Sequence, residues 1–230
     1  MGNLGKNMKS LIAILFCFTA ALHAQGKEDF LKDHICNVLP SLEGWCSREK
    51  ALNFVDLVLQ VEPKLCVEIG VFGGASLFPV ASALKYLGKG VVVGIDPWER
   101  SECIKYYDPI EEQTDFKWWS CLDFDYVYDS HCWMLRRYAL GDFCISIKST
   151  SERTADLFQN IDILFIDGSP DEGVTTQDVI LYLPRVSEGG YIWINNAIWP
   201  QRQNAIDLLF EKCQFVKSID SGNCLLFKKR

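Results

Sequence analysis

Short apolar runs alternate with longer stretches whose apolar residues recur every three or four positions, and this rhythm organises most of the chain. Residues 65–69, 91–95, 143–147, 161–166, 191–194, 215–219 and 224–227 are almost wholly apolar over strand-like lengths. Helical patterns fall between them at about 75–87, 175–183 and 203–212, and two more precede the first strand, at 28–39 and 47–60. In the second of these, Phe54, Val55, Val58 and Leu59 share one face behind Ser47, a suitable N-cap. Ser221-Gly222-Asn223 reads as a turn between the last two strands. Strands apolar on both faces and alternating with helices predict an α/β fold: a mostly parallel sheet with helices on both faces. The closing hairpin adds an antiparallel C-terminal strand. Ligands of such sheets bind beyond the carboxyl ends of the strands, where the strand order reverses.

Residues 98–140 interrupt this rhythm. They carry Trp98, Trp118, Trp119 and Trp133, with Tyr106, Tyr107, Tyr126, Tyr128 and Tyr138. Such an aromatic-rich insertion fits a lid or substrate wall over the site, and equally a subdomain packed on itself or on a partner chain. The N-terminus departs in another way. Lys6 and Lys9 precede an apolar run over 11–22 and a small residue at Ala24, the order of a secretory signal peptide. The run is shorter than the ~20 residues that span a bilayer. The expected organisation is therefore a signal over 1–24 and one domain over 25–230, with no stable membrane span after cleavage. Cleavage implies an extracytoplasmic chain, periplasmic or secreted; without it the chain is membrane-anchored or cytoplasmic. A buried N-terminal helix is the competing reading.

Composition narrows the partners. The chain has 230 residues, 49% of them hydrophobic, enough for one domain with a substantial core. A formal charge of −7 argues against nucleic acid, whose phosphates need a Lys/Arg surface, and leaves a small molecule as the expected partner. A homo-oligomer stays open. Nine of the ten cysteines lie beyond residue 24. Cys66 falls inside a strand as a core residue, while Cys36 and Cys46 are the better disulfide candidates for an oxidising compartment. No Cys pair has CxxC spacing and only His34 and His131 lie beyond residue 24, so a zinc site is not expected.

The most informative stretch is Val67-Glu68-Ile69-Gly70-Val71-Phe72-Gly73-Gly74-Ala75-Ser76. A strand runs into glycines and then into a helix, so the backbone can turn tightly and approach a ligand. The spacing is not GxGxxG, and Glu68 would repel a pyrophosphate; a carboxylate there suits an ammonium or sulfonium group. The second strand ends at Asp96, placed to accept the hydroxyls of a ribose.

At these residues the chain resembles the class I S-adenosylmethionine-dependent methyltransferases, which have a Rossmann-like fold. The similarity spans about 50–228 and rests on Glu68-x-Gly70-x-x-x-Gly74, Gly94-Ile95-Asp96, the stretch from Ile161 to Gly168, and Glu188-Gly189-Gly190 with the strand after it. The pattern is most like small bacterial enzymes related to macrocin and cephalosporin tailoring. The resemblance implies that Glu68, Gly70, Gly73 and Gly74 line the methionine end of S-adenosylmethionine and that Asp96 holds the ribose. It also implies that Pro97 and Trp98 lie near the adenine, with Ser149 and Thr150 bounding it. A helix N-cap is the competing role for Ser149 and Thr150.

The acceptor side departs from the family. Metal-dependent relatives carry an acid at the end of strand four and Asp-Asn at the end of strand five; here Asp167 matches the first and Asn195-Asn196 stands for the second. Asp167, Asn195 and Asn196 are thus candidate Mg²⁺ ligands of reduced charge. Relatives also tend to supply a base just after the strand-four acid. Gly168-Ser169-Pro170-Asp171 offers only Asp171, so Asp167 and Asp171 are the catalytic candidates, with a plain turn into the next helix as the alternative for Asp171. The expected activity is methyl transfer to a small-molecule acceptor, at oxygen. The alternatives are a weak or inactive methyltransferase-fold binding protein outside the cytoplasm, and an unrelated nucleotide-binding enzyme.

Overall fold

A computed structural model describes residues 25–230. The expected signal peptide falls on residues 1–24 and so lies outside the described residues. No helix among the described residues is long and apolar enough to cross a membrane.

Helix α1 covers 25–38, and α2 (Arg48–Val61) follows, its start capped by Ser47 Oγ, which accepts from Lys50 N at 3.1 Å. The chain then alternates: β1 (Leu65–Ile69), α3 (Leu77–Leu87), β2 (Val91–Asp96), β3 (Cys144–Lys148), β4 (Ile161–Ile166), α8 (Glu172–Tyr182), β5 (Val186–Asn195), α9 (Gln203–Lys212), β6 (Cys213–Ile219) and β7 (Cys224–Lys229). The insertion between β2 and β3 holds α4 (Arg100–Cys103), α5 (Gln113–Cys121) and α6 (Phe124–Arg137), and a short α7 (Ser151–Thr154) follows β3. The seven strands lie in the order β3-β2-β1-β4-β5-β7-β6. β1 pairs in parallel with both β2 and β4, and β7 runs antiparallel to β5 and to β6. The sheet is the predicted one, Rossmann-like and mostly parallel, with β7 lying inside it rather than at its edge.

Each face of the sheet is covered because its strands alternate two apolar sets. Phe165 and Trp193 point to the face of α1, α2, α3 and α6, where Phe54 meets their rings at 4.8 and 4.4 Å. Leu164, Ile166, Ile192 and Ile194 point the other way, to α8 and α9. The strand order reverses between β1 and β4, so their carboxyl ends form the crevice that the fold reserves for ligands. Cys66 is buried in β1 as expected. Cys36 and Cys46, the disulfide candidates, carry free thiols, and Cys46 Sγ lies 3.7 Å from Ser47 O.

Candidate functional site

Three backbone hydrogen bonds knit the strand ends around the crevice. Gly70 N donates to Ile95 O at 2.9 Å, Asp167 N to Ile69 O at 2.9 Å, and Ser149 N to Asp96 O at 3.0 Å. Gly70 has φ +83°, and a Cβ there would collide with the Asp167 carbonyl; the loop passes too close to β4 for any side chain. A Cβ on Gly73 would strike Glu43, because the segment before α2 lies directly on the glycine loop. Gly74 sits against His131 and Met134 of α6.

Glu68 and Asp96 give this loop its charge. Glu68 is 1% exposed; one oxygen accepts from Ser76 Oγ, and Oε2 has no hydrogen-bond partner among the described residues. Burial pushes its carboxyl up to about 8, against the Ser76 bond, and the nearby Asp167 adds to the effect. Asp96 is more committed than the sequence suggested. Its Oδ2 accepts from Val71 N (3.0 Å) and Phe72 N (2.9 Å), and its Oδ1 from Trp98 N (2.8 Å). Burial raises its pKa while these three N–H groups, Phe72 foremost, pull it down, leaving a net rise. Asp96 therefore ties the glycine loop to the end of β2; Oδ2 has both lone pairs engaged, and Oδ1 keeps one for a further donor.

Trp98 requires a correction. It is 2% exposed, its Nε1 donates to Phe72 O at 2.7 Å, and its ring lies on His131 at 5.3 Å and edge-on to Tyr128 at 4.9 Å. The indole is a strut between β2, the loop and α6, with no open face for an adenine. Pro97 and Ser149 stay half-buried at the crevice. Thr150 occupies the N-cap position of α7, without a side-chain cap bond.

At the ends of β4 and β5, Asp167 Oδ2 accepts from Lys50 Nζ at 3.0 Å, with Lys50 3% and Asp167 20% exposed. Asp167 Oδ1 accepts from Asn195 Nδ2 at 2.6 Å, and the same nitrogen reaches Asn196 Oδ1 at 3.0 Å. Asn195 Oδ1 accepts from Cys224 Sγ at 2.9 Å. The three candidate metal ligands do converge, but they do not suit Mg²⁺: the ammonium and two amide bonds occupy the oxygens, and Asn195 turns its nitrogen inward. Burial works against the charge on Lys50, and Asp167 outweighs it, raising the ammonium above the ordinary lysine range. Lys50 lies on the face of α2 that is otherwise apolar, 117 positions before its partner, and sequence reasoning missed it. A polar residue in that stripe was the one available signal.

Asp171 also requires correction as a catalytic candidate. It is the N-cap of α8, accepting from Val174 N at 2.9 Å, so its carboxylate serves the helix. Arg202, fully buried, clamps the loop before it by donating to Ser169 O at 2.8 Å and Gly168 O at 3.2 Å. Over the glycine loop, Trp45, Phe72, Trp118 and Tyr126, with Glu43 and Asp123, line a cavity of about 270 Å³. Trp45 meets Phe72 at 5.0 Å and Trp118 at 5.6 Å. A larger hollow of about 680 Å³ between α1 and α3 shares no lining residue with the loop.

Comparison with known proteins agrees with this fold. A family model described as a methyltransferase domain matches residues 67–197. No protein of curated function matches the sequence. Among solved structures, the O-methyltransferase NovP superposes with TM-score 0.65 at 18% identity, over 80% of this chain and 80% of that one. A methyltransferase of Podospora anserina bound to SAH gives 0.60 at 13% identity, over 88% and 87%. An O-methyltransferase of Bacillus cereus in complex with SAH gives 0.57 at 14%, over 86% and 90%. At these identities the structures speak for the fold, while the family model spans more than half of the chain. From β1 to the end of β5, the chain belongs to the methyltransferase-domain family, the class I S-adenosylmethionine-dependent methyltransferases on a Rossmann-like sheet.

Proposed function

We propose that the chain transfers a methyl group from S-adenosylmethionine to a hydroxyl of a small molecule seated beneath the aromatic insertion. The observation that carries this reading is Glu68: a buried carboxylate with an unpartnered oxygen at the end of β1, beside a loop pressed against β4. Such a group is costly unless a cation meets it. S-adenosylmethionine supplies the methyl on a sulfonium, together with an ammonium that complements this charge. Glu68 and Gly70, with Gly73 and Gly74, would hold the methionine end. Asp96 Oδ1 would accept a ribose hydroxyl with its remaining lone pair, and Pro97 and Ser149 would border the adenine.

Methyl transfer needs the acceptor oxygen aligned behind the methyl group and water kept out. Trp45, Phe72, Trp118 and Tyr126 provide an apolar wall over the loop for that purpose. Residues 99–129 hold nine acidic against three basic side chains, so the wall favours a neutral or cationic acceptor over an anionic one. Asp167, partly exposed at the junction, is the carboxylate best placed to take the hydroxyl proton. SAH and SAM complexes of proteins with this fold support the donor assignment, and O-methyltransferases among them support oxygen as the site of transfer.

The test is calorimetric titration of the full chain with S-adenosylmethionine and S-adenosylhomocysteine, with NAD as control. Saturating ligand, at ~100 times its dissociation constant, should add ~2.7 kcal/mol to stability and raise the melting temperature. Folded protein that ignores both sulfur ligands would refute the reading.

A further inference from the structure

We propose that the ammonium of Lys50 is the built-in cation of the acceptor site, standing in a cluster of oxygen donors that would otherwise hold a divalent metal. The inference rests on the acceptor site proposed above, though its evidence is independent of methyl transfer. Three oxygen-bearing side chains, Asp167, Asn195 and Asn196, meet at the adjoining ends of β4 and β5, the type of donor set that a hard cation selects. Into this set comes Lys50, from a different element, with its Nζ 3.0 Å from Asp167 Oδ2. Lysines of surface helices usually run their stems outward to water. This one is 3% exposed, runs inward past the Phe54 ring (Nζ 5.8 Å from the centroid), and ends on the carboxylate.

Charge and orientation agree. A divalent ion between two carboxylates sums to zero, and so does one ammonium on one carboxylate. Position 195 is accordingly an amide, and it completes the arrangement by donating to Asp167 Oδ1 while Cys224 Sγ satisfies its oxygen. A carboxylate at 195 would leave a buried negative charge that a single lysine cannot offset. Lys50 and Asn195 thus form one compensated pair of choices. Lys50 acts as a positioning residue: its ammonium holds the Asp167 carboxylate in place from the side opposite Asn195.

The experiment is titration of the full-length protein with Mn²⁺, followed by electron paramagnetic resonance of the free ion. The wild type should take up no stoichiometric Mn²⁺ at millimolar concentration. Lys50→Met with Asn195→Asp should bind one Mn²⁺ per chain, roughly tenfold or more tighter than wild type. Lys50→Arg should stay metal-free. Two results overturn the proposal: a wild-type site whose single Mn²⁺ is lost in Asp167→Asn, or a double variant with a cooperative melt that binds Mn²⁺ no better than wild type. Should the double variant not fold, the wild-type and Asp167→Asn titrations decide alone. S-adenosylhomocysteine binding, measured on the same samples, reports separately on the proposed function.

Discussion

The half of the crevice proposed to hold the donor, at the ends of β1 and β2, and the half proposed to hold the acceptor, at the ends of β4 and β5, handle buried polarity in opposite ways. In the donor half Glu68 keeps an oxygen without a partner, and Asp96 spends its bonds holding the loop rather than cancelling its own charge. In the acceptor half Asp167, Lys50, Asn195 and Asn196 satisfy one another. One half is left with an unpartnered carboxyl oxygen at Glu68; in the other the charges of Lys50 and Asp167 offset each other. Under the proposed function, the first would bind a cationic donor, and the second would align a hydroxyl and accept its proton.

The comparison can be tested from either side. The largest effect is expected for Asp96→Ala, which removes a carboxylate that ties three backbone N–H groups and faces the ribose position. Donor affinity should fall by ~1.5–3 kcal/mol, about ten- to a hundredfold, as calorimetry would record. An unchanged affinity would show that the loop, not the acid, carries donor recognition. Next comes Glu68. Its carboxyl ionises near 4.5 when unfolded and at about 8 when folded, so between these values the native state holds a proton that the unfolded chain has lost. Stability should therefore fall as pH rises across that window, by at most about 1.4 kcal/mol per pH unit, and Glu68→Gln should flatten the melting curve against pH. Donor binding, by pairing the ionised form with an ammonium, should release a proton and strengthen toward pH 8. A pH-independent affinity would remove Glu68 from the methionine end. The smallest effect belongs to Asp171→Ala, expected to cost about 1 kcal/mol of stability through its lost cap and to leave methyl-transfer turnover alone. A collapse of turnover in a well-folded Asp171→Ala protein would return that residue to the chemistry.

The fold was legible because its signals are local. The central strands β1, β2 and β4 are largely apolar runs of strand length, and the glycine loop, Glu68 and Asp96 lie within 29 consecutive residues. Lys50 and Asp167 stand 117 positions apart and are brought together only by the tertiary fold, so their pair left no local trace. Helix α6 was overlooked for a different reason. Phe124, Val127, His131 and Met134 form its buried stripe behind the Asp123 cap, but the surrounding aromatics drew the reading toward composition rather than period. Trp98 misled in a related way: its position beside Asp96 matched the adenine wall, while packing against His131 and Phe72 claimed the ring first.

The position of β7 has a kinetic consequence. β6 touches the sheet only through β7, yet precedes it in sequence, so β6 has no edge to dock on until the later strand has threaded in beside β5. The same strand brings Cys224 to the back of Asn195. During synthesis the donor half can take shape around β1 and β2 while the acceptor half waits for the ribosome to deliver residues 224–229. Assembly of the crevice thus has a built-in order, with the support behind Asn195 among the last contacts to form.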